Sequence, residues 1–259
     1  MISIIFPDSS VKKFDKGTKV IDVAKSISEG LARKVISASF NKEVYEIESE
    51  LHSDGSIKFY TWEDDEGKQA FWHSSAHILA QTIKFFYPKC KLTIGPSIEN
   101  GFYYDVDFDG DTISEKDFNK IEVKFLEFAR LNSHFMKKSI SKKDALDFYK
   151  KESNQYKIEL IDALDDGTIT FCDHSDFSDL CKGGHIPSTG IVKAVKLLNI
   201  AGAYWRGDEK NNQLTRIYGI SFPKQKLLTE YLELIEKAKE RDHRKLGKEL
   251  ELFTFSSKV

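Results

Sequence analysis

The stretch Ile2-Ser-Ile-Ile-Phe-Pro-Asp-Ser-Ser-Val-Lys-Lys-Phe-Asp-Lys-Gly-Thr-Lys-Val-Ile-Asp-Val-Ala-Lys-Ser-Ile-Ser28 changes period half-way along. Its first part reads as two short strands, Ile2 to Phe6 and Val11 to Phe14, joined by the turn residues Pro7-Asp8-Ser9-Ser10, which is a β-hairpin. From Lys19 to Ser28 the apolar residues Val20, Val23, Ala24 and Ile27 recur at helical spacing, with Thr18 placed to cap the helix and Gly30 to end it. Further short strands are expected at Ala32 to Phe40, at Glu43 to Ile47 and, after the turn Ser53-Asp54-Gly55, at Ser56 to Thr61. Hairpin, helix, then short strands is the order of a ubiquitin-like β-grasp domain. A unit this small is usually a docking or binding module.

Beyond it, the acidic run Glu63-Asp-Asp-Glu-Gly67 is polar enough for a junction, and a helix is expected from Lys68 to Tyr87, stopped by Pro88. Trp72, Ala76, Leu79, Ala80, Ile83 and Phe86 form its apolar stripe, with His73 and His77 at one edge and therefore expected to be half-buried. A strand from Leu92 to Ile98, a turn at Glu99-Asn100-Gly101 and a strand from Phe102 to Phe108 suggest a second hairpin. Helices are expected at Ser114 to Leu131, where Ser114 and Asp117 have capping-box spacing, and at Lys142 to Glu152. Lys157 to Leu160 and Ile169 to Cys172 read as strands, Asp173 to Asp179 as a polar connecting segment, and Ile191 to Ile200 and Leu214 to Tyr218 as β-like runs. A last amphipathic helix follows Phe222-Pro223.

The 259 residues exceed the usual size of one domain, so two are expected. Charged residues make up 31% and no apolar run approaches the roughly 18 residues of a membrane span, so no membrane partner is expected. The N-terminus has no basic, then apolar, then small-residue pattern, and the expected location is the cytoplasm. Three cysteines, Cys90, Cys172 and Cys181, make no disulfide framework, and Cys90 and Cys172 read as packing residues. With 39 basic and 41 acidic residues the net charge is −2, so a nucleic acid must be held by local patches.

Two spacings carry chemistry: His73-Ser-Ser-Ala-His77 and Cys181-Lys-Gly-Gly-His185. At this composition a His-x3-His arises by chance roughly 0.2 times, so either spacing alone is weak, whereas their conjunction is not. Residues four apart on a helix share a face, which lets His73 and His77 point into one cavity. Position 74 is Ser, so the metalloprotease pattern His-Glu-x-x-His lacks its general base. Gly183-Gly184 allows a tight turn and a close approach of substrate. Three imidazoles and a thiol also make a natural zinc set, His73, His77, Cys181 and His185.

With these motifs, and with Ile94-Gly-Pro-Ser-Ile-Glu-Asn-Gly-Phe-Tyr-Tyr-Asp105, Asp179-Leu-Cys-Lys-Gly-Gly-His185, Ala201-Gly-Ala-Tyr-Trp-Arg-Gly-Asp208 and Arg241-Asp-His-Arg-Lys-Leu-Gly247, the chain resembles the N-terminal half of the bacterial threonyl-tRNA synthetases. The resemblance implies an α+β chain: a TGS (β-grasp) domain at 1–62, an editing domain of the threonyl/alanyl-tRNA synthetase type at 63–224, a linker helix at 225–243 and the start of a truncated aminoacylation domain at 244–259. It implies post-transfer editing, the hydrolysis of seryl-tRNA(Thr), with the tRNA 3′ end carrying serine as partner. ATP, the amino-acid-selecting zinc and ligation itself would belong to the absent C-terminal half, as would the dimer contacts. A homodimer is then expected for the full-length protein, and a monomer for this chain.

In that reading His73 positions or activates a water, because an ordinary imidazole titrates near neutrality. His77, Cys181 and His185 shape the pocket and hold a second water, with Cys181 as covalent nucleophile a lesser choice. The resemblance gives Lys157 a role at the 3′ end or in charge stabilisation, Asp179 one in recognising the substrate amine or hydroxyl, and Tyr104 one in fixing the adenosine or serine side. Lys182 stands where the family commonly has Arg, and Gly184 where it has Pro, so the charge is kept and the bidentate fork is lost. Editing is expected to need no cofactor, although the alanyl relatives carry zinc on the equivalent set. Two other functions remain open: a non-catalytic tRNA-binding appendage, and a structural zinc module.

Overall fold

The computed structural model describes residues 1–240. The expected end of the linker helix at 241–243, the start of a further domain at 244–259 and the Arg241 to Gly247 motif lie outside the described residues.

Strands β1 (Ile2–Ile5) and β2 (Val11–Phe14) form the expected antiparallel hairpin, pairing Ile2 with Phe14 and Ile5 with Val11. A two-residue strand β3 (Thr18–Lys19) leads into α1 (Val20–Ile27) and α2 (Glu29–Ala32), followed by β4 (Ser37–Phe40), β5 (Glu43–Tyr45), β6 (Glu50–Leu51) and β7 (Gly55–Tyr60). The sheet runs β2-β1-β7-β4-β5 with β1 and β7 parallel, and β3 pairs with β6 beside it. Val20, Val23 and Ala24 of α1 are fully buried against Ile2, Ile4, Phe40 and Leu51. At ~1.5 to 3 kcal/mol for each large aliphatic removed from water, this core is what holds so small a sheet together.

Local chemistry moved several boundaries. Thr18 does not cap α1; its hydroxyl donates to the carbonyl of Asp15, and Lys19 is the N-cap without a side-chain bond. Ser28, not Gly30, ends α1, because its hydroxyl accepts from the Leu31 N–H and opens α2, with Gly30 inside that turn. The strand at Glu43 stops at Tyr45 because the carbonyl of Ile47 turns to accept from the N–H of Ile21 in α1.

The second unit is built on α3 (Asp65–Phe86), in which 14 of 22 residues are buried. It starts earlier than the apolar stripe indicated, since Asp65 and Glu66 suit a helix N-terminus. After it come β8 (Lys91–Leu92), β9 (Ser97–Ile98), β10 (Gly101–Asp107), α4 (Phe118–Arg130), β11 (Met136–Ser139), α5 (Lys142–Lys151) and α6 (Gln155–Asp162). Then follow β12 (Thr170–His174), β13 (Phe177–Leu180), β14 (Ala194–Tyr204), β15 (Gln213–Phe222) and α7 (Gln225–Glu240). An antiparallel sheet, β14-β15-β10-β8 with β9 also on β10, packs its apolar face on α3, and a smaller sheet β11-β12-β13 stands apart from it. The capping box of Ser114 and Asp117 forms as read, before a short 3-10 turn that runs into α4. Helix α7 buries Leu228 against the same core that holds α3.

Two segments took a different secondary structure from the one expected. Lys157 to Leu160 is not a strand but the middle of α6, which Asn154 opens by accepting from the Lys157 N–H at 3.2 Å. Four residues are too short a window for period to separate strand from helix, and the cap carried the information. The segment Asp173 to Asp179 is not a loop but a hairpin, β12 to β13, turned at Ser175 with φ 51°. Among the described residues, no helix is long and apolar enough to cross a membrane.

Candidate functional site

Helix α3 presents His73 and His77 on one face, and the serines between them anchor the rest of the site. Ser74 accepts at its hydroxyl from the Ile186 N–H at 3.0 Å, which pins the loop after β13 against the helix. Ser75 meets the hydroxyl of Ser221 in β15 at 2.7 Å. The loop thereby delivers Cys181 and His185, and the ring and thiol donors of His73, His77, Cys181 and His185 lie within 4.8 Å of one another. His73 Nε2 is 3.0 Å and His185 Nε2 3.3 Å from Cys181 Sγ, and the Gly183 N–H donates to the same sulfur at 3.4 Å. Gly183 and Gly184 have φ of 100° and 90°, a region that favours glycine and lets the loop fold back within reach of the sulfur.

His73 is half-buried, as its place on the stripe indicated, but His77 is only 3% exposed. The β12–β13 hairpin covers it: Asp179 Oδ2 lies 3.8 Å from its Nδ1 and the ring of His174 stands 6.4 Å away.

Asp179 in β13 is the hub of the second half of the site. The ammonium of Lys157, from α6, pairs with its Oδ1, and both side chains are almost completely buried. Tyr149 from α5 donates to the same oxygen at 2.9 Å, and Tyr104 from β10 donates to Oδ2 at 2.8 Å. The N–H of Leu180 donates to the Tyr149 hydroxyl, closing the network. Lys157 and Asp179 are thus neither an exposed lysine nor a turn cap. Gly95 makes room for Tyr104, since a Cβ there would lie 2.2 Å from the ring.

The electrostatics divide the groups by role. Burial works against ionising Cys181, but His77, His185 and His73 around it outweigh that and hold the thiol well below its ordinary value. Burial also opposes charge on His185, yet its bonds to Cys172, Cys181 and Glu46 prevail and raise it well above an ordinary imidazole. The thiol of Cys181 is thereby shifted toward thiolate and the ring of His185 toward imidazolium. Burial lowers the pKa of His77, and lowers that of His174 to about 3. Burial and then the Asp179 charge raise Tyr104 and Tyr149, which stay protonated donors.

A cavity of about 690 Å³ opens on these groups, walled by His73, His77, Tyr104, Lys157, Asp179 and Cys181, with Ile94, Pro96, Leu160 and Leu164 on its apolar side. Lys182 is exposed at its rim. A second cavity of about 680 Å³, between the β-grasp sheet and α3, also reaches His73, Gly183 and Gly184.

Four members of this site went unread in the sequence. Tyr149 sits in a helix that read as scaffold. Cys172 read as a packing residue, and its Sγ lies 3.5 Å from His185 Nδ1. His174 lay in the presumed connecting segment. Glu46 comes from the other domain, and its Oε1 lies 2.8 Å from His185 Nδ1. None of the four carried a local signal: Phe171 and Cys172 are adjacent apolar residues and both buried, so the strand that holds His174 shows no alternation.

The donor set is compatible with a small tetrahedral ion. Three nitrogens and a sulfur converge, the thiol is acidified, and among the described residues neither ring nitrogen of buried His77 has a hydrogen-bond partner.

Residues 2–61 match the TGS domain, and residues 169–218 match the threonyl and alanyl tRNA synthetase second additional domain. Over its whole length the chain is 63% identical to the threonine-tRNA ligase of Flavobacterium psychrophilum, 62% to that of Flavobacterium johnsoniae and 53% to that of Cytophaga hutchinsonii. In each case the chain spans 40% of the relative's length, at its N-terminal end.

Proposed function

We propose that this chain, the TGS and second additional domains of a threonine-tRNA ligase, hydrolyses the ester of serine wrongly attached to tRNA(Thr). The chemical need is discrimination. A synthetic pocket made for threonine gains only ~1 to 3 kcal/mol from the one methyl that serine lacks, so a second, hydrolytic sieve is required. Such a sieve needs an oriented water, a donor for the developing oxyanion and a proton for the leaving ribose oxygen.

The observation that carries the reading is the convergence of His73, His77 and Cys181 with a buried lysine on one cavity, with His185 behind the sulfur. Its volume of about 690 Å³ falls in the range that holds a small-molecule ligand, here the aminoacylated 3′ adenosine. His73, half-buried at the cavity wall, orients the attacking water. The Cys181–His185 pair holds charge beside it and fixes the His73 ring through the sulfur. Lys157, held by Asp179, supplies positive charge to the oxyanion or to the 3′ end, while Tyr104 orders the adenosine or serine side. Both Asp179 oxygens are already engaged, so its share in recognising the substrate amine is secondary to holding Lys157. Lys182 at the rim meets the tRNA backbone.

ATP, the zinc of the synthetic site and the homodimer contacts belong to the remainder of the protein, which works in the cytoplasm. This chain acts as a monomer and edits without a cofactor. One observation favours a second reading: the unpartnered nitrogens of His77 beside the other three donors suit a zinc ion held by His73, His77, Cys181 and His185. Bound there, zinc would supply Lewis acidity toward the ester and an acidified water. Elemental analysis separates the two, because one tightly held zinc per chain ends the metal-free version.

The test is the rate of serine and threonine release from the two aminoacylated forms of tRNA(Thr), with His73→Ala as control. Loss of serine alone, abolished by His73→Ala, is the expected result. Equal rates with and without protein would leave a tRNA-binding appendage.

A further inference from the structure

Glu46 belongs to the β-grasp domain, just past β5, yet its carboxylate ends in the hydrolytic centre. Its Oε1 lies 2.8 Å from Nδ1 of His185, whose side chain is fully buried, while Glu46 itself keeps 15% exposure. A carboxylate accepts and does not donate, so the proton of this bond sits on His185 Nδ1. That leaves Nε2 of the ring to face Cys181 Sγ at 3.3 Å.

Other neighbours fix the plane of the ring but not which nitrogen points where. Phe135 stacks on it at 5.3 Å with an interplanar angle of 9°, and a flip of the imidazole leaves such a stack unchanged. Cys172 Sγ, 3.5 Å from Nδ1, is a weak partner whose thiol burial holds up at about 11. Among the described residues Glu46 is the one carboxylate in ion-pair range of His185. The domains meet closely at this point: a Cβ on Gly184 would touch Val44 at 3.4 Å, and Ile36 joins the core of the larger unit.

We infer that Glu46 is a positioning residue for the editing reaction: by accepting from His185 Nδ1 it fixes which ring nitrogen faces Cys181 and holds the imidazole in place, so that the β-grasp domain completes the site. This rests on the editing reading above. The best-measured parallel is the carboxylate on the far nitrogen of a metal-bound histidine, whose loss costs ~10- to 100-fold in affinity or activity.

The experiment uses the whole 259-residue chain with Glu46→Ala and Glu46→Gln. Glu46→Ala is expected to lower kcat for seryl-tRNA(Thr) hydrolysis ~10- to 100-fold with KM moved less than about twofold. Glu46→Gln keeps an acceptor oxygen at the same reach and is expected to fall between Glu46→Ala and the parent. In parallel, the ¹⁵N signals of His185 should show a protonated Nδ1 in the parent chain and in Glu46→Gln, and a change in Glu46→Ala. Unaltered kcat in Glu46→Ala, or a His185 spectrum indifferent to it, overturns the inference. If the parent chain hydrolyses no aminoacyl-tRNA, the editing reading falls, and the nitrogen spectrum alone then decides whether Glu46 positions the ring. Should Glu46→Ala fail to fold, Glu46→Gln carries the same comparison.

Discussion

The ion pair between Lys157 and Asp179 offers the sharpest test of how this site is held. Both side chains are almost completely out of water, 3% and 4% exposed, and two tyrosine hydroxyls share the carboxylate. Replacing Asp179 by Leu leaves an ammonium in a buried place with no counter-charge and removes the acceptor from Tyr104 and Tyr149. Breaking one side of a buried pair costs ~3 to 5 kcal/mol, because the remaining charge keeps its desolvation penalty. Lys157→Met leaves a buried carboxylate with two hydroxyl donors still on it, and belongs at the lower end of that range. The double variant Lys157→Met/Asp179→Leu buries no charge, so its loss is confined to the roughly 1 to 3 kcal/mol for each of the two tyrosine hydroxyls left without a partner. Urea unfolding at pH 7 gives each value from the midpoint at constant slope. The expected coupling is at least about 2 kcal/mol in favour of the double variant. Single losses under about 1 kcal/mol, or a double loss equal to the sum of the singles, would refute the buried pair as drawn.

Other outcomes follow from the same geometry. His73 is half-buried and sits outside the main core, so His73→Ala should abolish serine release while moving stability by less than about 1 kcal/mol, read by thermal unfolding. Burial lowers His174 to about 3 against an ordinary 6.5, so the unfolded chain takes up its proton first as pH falls. Stability is then full above pH 6.5 and declines toward pH 3, by ~2 kcal/mol at pH 5 from this group. His174→Phe, which gives up no hydrogen bond, should flatten that part of the profile, and a parent profile level between pH 6.5 and 5 would contradict the assignment. Gly95→Ala drives a methyl into the ring of Tyr104 and should cost ~1 to 3 kcal/mol while raising KM, seen in unfolding and deacylation together. Lys182→Arg adds planar donors at the rim and should tighten tRNA binding a few-fold in a filter assay; weaker binding would count against a phosphate role there.

What the chain's sequence shows and what it hides divide along the range of the interaction concerned. The hairpin at Ile2 to Phe14 and the capping box at Ser114 are settled by residues within a few positions of each other, and they form as read. Helix α6 was hidden because its four-residue core, Lys-Ile-Glu-Leu, alternates like a strand, while the deciding bond from the Lys157 N–H to Asn154 lies just before that window. The residues His73, His77, Cys181, Lys157, Asp179 and Tyr104 do meet at one cavity, and His185 lies just behind Cys181. Their second partners were not legible, since Glu46 reaches His185 across 139 positions and Tyr149 reaches Asp179 across 30. No local pattern marks a residue whose role is set by a domain packed against it. Burial of His77 was misjudged for the same reason: the stripe on α3 shows what that helix turns to its own core, whereas the β12–β13 hairpin that covers the other side comes from far along the chain.

The state of Cys181 bears on which chemistry the site favours. A thiol held low by the surrounding imidazoles is shifted toward thiolate, which at first suggests a nucleophile. Acidity and reactivity run against each other, however: nucleophilicity falls with thiol pKa, and the best attacking thiol titrates near the ambient pH. Geometry weighs on the same side. Cys181 is only 9% exposed, and His73, His185 and the Gly183 N–H already point at its sulfur, so an attack on an ester would first have to break those bonds. A thiolate in that setting serves better as a fixed negative charge that orients two rings. Cys181→Ser, which keeps a hydroxyl acceptor without the full charge, should then retain part of the hydrolytic rate, whereas a covalent role requires an acyl-enzyme burst in the parent and none in the variant.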